Sequence, residues 1–125
     1  MDTLKLHKPT ESELEILQVL WLKEKATVRE VHESLLKTKD AGYTTTLKLM
    51  QIMFEKGLVY RDSSNKTHVY EPAVTKENTQ NLFVNKMIDS LFAGSSAQLV
   101  MQALGNHKTS KEELDAIKNY INSMK

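Results

Sequence analysis

Apolar and polar positions follow a helical period through most of this chain and turn to a β-prone pattern only once. Thr10-Glu-Ser-Glu13 has the spacing of a capping box, in which the Thr10 hydroxyl accepts from an early helix N–H while Glu13 reaches back. A first helix starts there. Its apolar set, Leu14, Ile16, Leu17, Val19, Leu20, Trp21 and Leu22, is wider than one stripe, which predicts a helix covered on two sides with Trp21 in the core. A second box, Thr27-Val-Arg-Glu30, opens a shorter helix with Val28, Val31 and Leu35 at i, i+3 and i+7. With only Glu24-Lys25-Ala26 between them, the two helices must cross at a large angle, as in a helix-turn-helix.

Asp40-Ala-Gly42 breaks the pattern before a third helix that begins among Thr44, Thr45 and Thr46 and ends at Glu55-Lys-Gly57, where Gly57 suits the left-handed position after a helix. At about 100° per residue, Thr46, Leu47, Leu49, Met50, Met53 and Phe54 gather on one side. Thr44, Thr45, Lys48, Gln51, Ile52 and Glu55 occupy the other, with Lys48 near its middle. Leu58-Val-Tyr60 and Thr67-His-Val-Tyr70 flank the polar cluster Asp62-Ser-Ser-Asn65 and predict a β-hairpin closed by Pro72.

Three helices followed by a hairpin is the order of a winged helix-turn-helix. The expected fold class is mainly α with a small β-hairpin wing, followed by a C-terminal helical arm. In that arm, apolar positions run from Leu82 to Phe92, Gly94-Ser-Ser96 breaks them, and a short segment Leu99–Leu104 is ended by Gly105. A third box, Ser110-Lys-Glu-Glu113, opens Leu114, Ile117, Ile121 and Met124. Three short helices cannot close an independent core, and a second copy of the chain is the simplest cover for their stripes. The expected division is a winged helix-turn-helix domain at 1–74 and a helical dimerisation domain at 75–125, with Phe83, Met87, Leu91, Leu99, Leu104, Leu114, Ile117 and Ile121 as the dimerisation residues.

The runs Thr10-Glu-Ser-Glu-Leu-Glu-Ile-Leu-Gln-Val-Leu-Trp21, Thr27-Val-Arg-Glu-Val-His32, Gly42-Tyr-Thr-Thr-Thr-Leu-Lys-Leu-Met50, Glu55-Lys-Gly-Leu-Val59 and Asn65-Lys66 through Tyr70-Glu-Pro72 together make the chain resemble, nearly end to end, the BlaI/MecI/CopY group of winged-helix repressors. The resemblance implies a homodimeric repressor that reads an inverted-repeat DNA operator of resistance or stress genes. In the β-lactam branch it also implies release by a membrane sensor that triggers cleavage in the C-terminal arm. Two departures stand out. The copper-responsive branch uses a Cys-rich C-terminal motif, and this chain has no cysteine. The β-lactam branch is cut at an Asn-Phe bond, where Gln102-Ala103 stands here.

Composition narrows the classes further. The 125 residues hold 17 Lys+Arg against 16 Asp+Glu, so the net charge of +1 is not the footprint of a globally basic DNA-binding domain. The basicity is local: residues 1–36 are net −2, residues 37–66, which contain the third helix and hairpin, are net +3, and the rest balance. Without cysteine, disulfide frameworks, thiolate catalysis and Cys-based metal sites are excluded. The histidines at 7, 32, 68 and 107 have no metal-ligand spacing, and no phosphate loop or nucleophile motif is present. Neither an enzyme nor a cofactor is expected. No apolar run approaches the roughly 20 residues of a membrane span, and Met1-Asp-Thr-Leu-Lys5 does not read as a signal peptide. The expected compartment is the cytoplasm.

On the third helix, Thr44, Thr45, Lys48 and Gln51 are placed for the major groove. Gln bonds adenine in bidentate fashion, Thr offers a hydroxyl or a methyl, and Lys reaches guanine or phosphate. Relative to the family, Leu47 stands where a basic residue is common, and Lys48 compensates one position on. In the hairpin, Asn65 and Lys66, with Arg61 at the base, suit phosphate contact, although Asn65 equally suits a soluble turn. Tyr43 is either a phosphate donor or a hydrophobic staple against Leu47, and His32 is a surface or packing residue. The competing class is a winged-helix protein-interaction module without specific DNA binding.

Overall fold

The structure, a computed structural model, describes residues 8–125; His7 and the opening segment lie outside them. Among the described residues the order is α1 (Glu11–Lys23), β1 (Ala26–Thr27), α2 (Val28–Leu35), α3 (Tyr43–Lys56), β2 (Val59–Asp62), β3 (Val69–Pro72), α4 (Lys76–Leu91), α5 (Ser96–Asn106) and α6 (Lys111–Ser123). They form two compact units, divided between Leu82 and Phe83, within α4.

The three capping boxes are present. Thr10, Thr27 and Ser110 each accept from the backbone N–H three residues on, and Glu13, Glu30 and Glu113 each accept from the N-cap N–H in return. Gly57 adopts φ +83° and closes α3 in a Schellman turn, with Gly57 N–H on the Phe54 carbonyl and Leu58 N–H on the Met53 carbonyl. A side chain at this φ would be strained.

In the first unit, Ile16, Leu17 and Leu20 of α1, Val28, Val31 and Leu35 of α2, Met50 and Met53 of α3, and Leu58, Val59 and Tyr70 of the sheet region form one core. The winged-helix prediction holds, with four corrections. The sheet is three-stranded and antiparallel in the order β1-β3-β2, because Ala26, read as part of a connection, and Thr27, read only as a helix cap, pair with Tyr70 and Val69. Two residues carry no periodicity, so a strand this short is invisible until its partner arrives. In α1 only Leu22 of the expected covered set departs, at 85% exposed; Leu14, Val19 and Trp21 pack half-buried against the core, the Trp21 indole N–H donating to the Val74 carbonyl at 2.9 Å. Phe54, expected inside, is 37% exposed and serves instead as a platform for an arginine described below. Finally, α3 starts one residue early, at Tyr43, with Gly42 as its N-cap.

Further along, α4 starts at Lys76 rather than near Leu82. The Thr75 hydroxyl accepts from Asn78 N–H at 3.0 Å. With Asn rather than Glu three residues on, this start lacks the reciprocal pattern that marks the other boxes. The break before α5 is as expected, with Ala93 and Gly94 at positive φ and Ser95 as the N-cap. Gly105 lies inside α5, which runs on to Asn106.

In the second unit, among the described residues, neither α5 nor α6 buries a side chain. Leu91 and Met101 are 73% and 71% exposed, and Met87, Leu114 and Ile121 are also exposed. Phe83, Leu99, Leu104 and Ile117 are half-buried. No helix of the described residues is long and apolar enough to cross a membrane.

Candidate nucleic-acid interface

Helix α3 is amphipathic in the way its sequence dictates. Thr46, Met50 and Met53 are buried, while Thr44, Thr45, Lys48, Gln51, Ile52 and Glu55 are exposed on the other side, and Tyr43, also exposed, sits on the flank toward α2. Its C-terminal end is tied to α1 by an ion pair 43 residues apart in sequence. Lys56 Nζ donates to both carboxylate oxygens of Glu13, at 2.8 and 3.1 Å. Burial alone would push the Glu13 carboxyl up. The Lys56 hydrogen bond and charge, with the Thr10 N–H and hydroxyl, outweigh it and hold the carboxyl below its ordinary range. The sequence assigned Glu13 to capping only, and its second role needed the tertiary path.

Between α3, the start of α2 and the hairpin lies a cleft of about 360 Å³, lined by Thr27, Val28, Arg29, Tyr43, Leu47, Gln51, Lys66, Thr67, His68 and Tyr70. Three of the sequence-predicted contact residues, Tyr43, Gln51 and Lys66, thus share one concave surface. Arg29 and His68 join them and were not foreseen. For Arg29 a signal existed: a cation in the first turn of a helix opposes the helix dipole, so its presence there calls for another reason. Its guanidinium lies 5.8 Å from the centroid of the Tyr43 ring. The same ring meets His32 edge-on, at 5.4 Å between centroids and 83° between planes.

Thr44, Thr45 and Lys48 are exposed on α3 but do not line the cleft, and Asn65 is exposed at the hairpin tip. Arg61 stands apart. Its guanidinium carbon lies 4.0 Å from the centroid of the Phe54 ring, and its buried Nε has no hydrogen-bond partner among the described residues. The tip itself is ordered by Asp62, whose Oδ1 accepts from Ser64 N–H at 2.9 Å and Ser64 Oγ–H at 2.7 Å. These two bonds hold the Asp62 carboxyl below its usual range, helped by the nearby Lys25 and His68 charges. The arrangement offers cations and short polar groups on a protruding helix and wing. Among the described residues, no three His, Asp or Glu side chains gather as metal ligands.

The family model described as Penicillinase repressor matches residues 9–123. Among curated relatives, "Transcriptional regulator BlaI" of Mycobacterium tuberculosis is 28% identical over 120 residues, covering 94% of this chain and 85% of the relative. "Methicillin resistance regulatory protein MecI" of Staphylococcus aureus is 22% identical over 118 residues, covering 94% and 96%. "Penicillinase repressor" of Staphylococcus aureus is 17% identical over 113 residues, covering 90% of each. With the family model spanning nearly all of a chain that carries the three-helix-and-wing unit, the protein belongs to the penicillinase repressor family.

Proposed function

We propose that the protein is a sequence-specific DNA-binding transcriptional repressor that acts as a homodimer on an inverted-repeat operator. The observation that carries this reading is the exposed face of α3, where Thr44, Thr45, Lys48 and Gln51 project beside a cleft that adds Arg29 and Lys66. A helix presenting this set suits the major groove, and cations on the adjoining α2 and wing suit the flanking phosphates. Each phosphate that these cations neutralise steepens the fall of affinity with salt.

The functional division is residues 1–74 for reading DNA and 75–125 for dimerisation. In support, α4 to α6 carry exposed Met87, Leu91, Leu114 and Ile121, whose apolar surface is a favourable term once a second copy covers it. Two equivalent α3 helices then read half-sites about one turn, ~10 bp, or a multiple apart. Release by a sensor-linked protease at the Gln102–Ala103 bond would first require α5 to open, because this bond lies within that helix.

The test is binding of the full-length protein to DNA from its own upstream region and to random duplex at two salt concentrations. Protection of an inverted repeat with clear preference over random duplex is expected. Equal, salt-erased binding to both, or none, would overturn the reading and favour a winged-helix interaction module that meets a protein instead.

A further inference from the structure

Most helices of this chain begin with a side-chain cap, but α3 begins at Gly42, which brings no side chain to its own first turn. What holds that turn comes from α2. Thr46 is buried, and its hydroxyl lies 3.2 Å from His32 Nδ1 and 3.4 Å from the Gly42 carbonyl. A hydroxyl has one proton to give, and the carbonyl can only accept. With the Thr46 proton on Gly42, the hydroxyl accepts from His32 Nδ1–H, forming a chain from His32 through Thr46 to Gly42. The same imidazole stands edge-on to Tyr43, the first residue of α3. One side chain therefore grips the first and fourth residues of the helix from outside it.

We propose that His32 is a positioning residue for DNA reading, which fixes the first turn of α3 and thereby the placement of Tyr43, Thr44 and Thr45. This rests on the DNA-reading function proposed above. His32 itself is half-buried, and in this role it acts through Thr46 and Tyr43 rather than by touching DNA. Its loss therefore acts on order rather than on phosphate contact. A first turn that is loose in the free protein must be ordered on binding, which lowers affinity for a sequence that demands defined side-chain positions. It scarcely alters non-specific attraction, which is set by phosphate neutralisation.

Three variants of the full-length protein separate the parts. His32→Phe keeps a ring edge against Tyr43 and removes the donor, His32→Asn keeps a donor near the Nδ1 position, and His32→Ala removes both. Amide hydrogen exchange, read without DNA, should be faster at Thr46 and Leu47 in His32→Phe and His32→Ala and unchanged at the buried Met53. His32→Asn should restore Thr46. Affinity is then measured for the duplex that the wild-type protein enriches from a random pool and for the unselected pool. His32→Phe should lose roughly three- to ten-fold on the enriched duplex, the worth of one hydrogen bond, with the unselected pool and the salt slope unchanged. Unchanged exchange in His32→Phe and His32→Ala would overturn the proposal, as would an equal loss on both DNAs. If the wild-type protein enriches no sequence, the DNA-reading function itself fails, while the exchange data still decide whether His32 holds the helix start.

Discussion

Lys56, the last residue of α3, places its ammonium 2.8 Å from the carboxylate of Glu13, the third residue of α1, and only 2% of that Glu13 side chain is exposed. Glu13 thus caps its own helix and anchors the far end of α3, the helix proposed to read DNA. The pair is asymmetric, since Lys56 keeps 29% of its side chain in solvent and Glu13 does not. Lys56→Met should therefore destabilise by about 2–3 kcal/mol, because it leaves a buried carboxylate short of its counter-charge. Glu13→Gln, which preserves the cap acceptor and frees Lys56 to water, should cost about 1 kcal/mol. Urea unfolding at neutral pH checks both.

The same pair sets an acid limb. The folded-state pKa of Glu13 lies below its unfolded value near 4.5, so its contribution is fully present above that unfolded value. It is lost as pH falls through the lowered folded one. Wild-type stability should fall more steeply than that of Glu13→Gln as pH is taken from above 4.5 into that range. Parallel curves would show that the ion pair contributes nothing there.

Gly42 has extended backbone, φ −83° and ψ 145°, and a Cβ there would meet only Thr45 Oγ1, at 3.8 Å. Nothing local requires glycine. Gly42→Asp should cap α3 and raise stability by a few tenths of a kcal/mol, while lowering DNA affinity by placing an anion at the reading face. Urea midpoints and fluorescence anisotropy would read the two effects. Unchanged DNA affinity would mean that this end of α3 faces away from phosphate.

Arg29 and Arg61 should separate by kind of effect. Arg29→Ala should lower the log–log salt slope of DNA binding by about one phosphate's share, ~0.9, and leave unfolding within about 0.5 kcal/mol. Arg61→Ala should destabilise the fold by about 0.5–1 kcal/mol through loss of its stack on Phe54. Lys48→Ala with Lys66→Ala should collapse binding to the protected repeat while leaving the sedimentation coefficient unaltered.

Leu91→Asp with Ile121→Asp places charges on the exposed apolar sides of α4 and α6. Sedimentation velocity should then report monomer, with the helical circular dichroism largely retained because neither side chain is buried. A dimer that survives would move the interface elsewhere.

The elements with local causes were legible in the chain alone. The capping boxes at Thr10, Thr27 and Ser110, the stop at Gly57, the buried Met50 and Met53 opposite an exposed Lys48, and the hairpin before Pro72 all follow from interactions a few residues apart. Such interactions recur with the helix or strand period and can be counted along a sequence. The tertiary structure decided what depends on two distant segments meeting. It made a strand of Ala26–Thr27 by bringing β3 alongside, gave Glu13 a second partner in Lys56, and drew Arg61 onto Phe54. It also set Arg29 and His32 against Tyr43 and faced Lys66 across a cleft from Gln51. The residue types of the proposed reading face were open to inspection, whereas their convergence depends on the path of the backbone through a shared core, which no local period encodes.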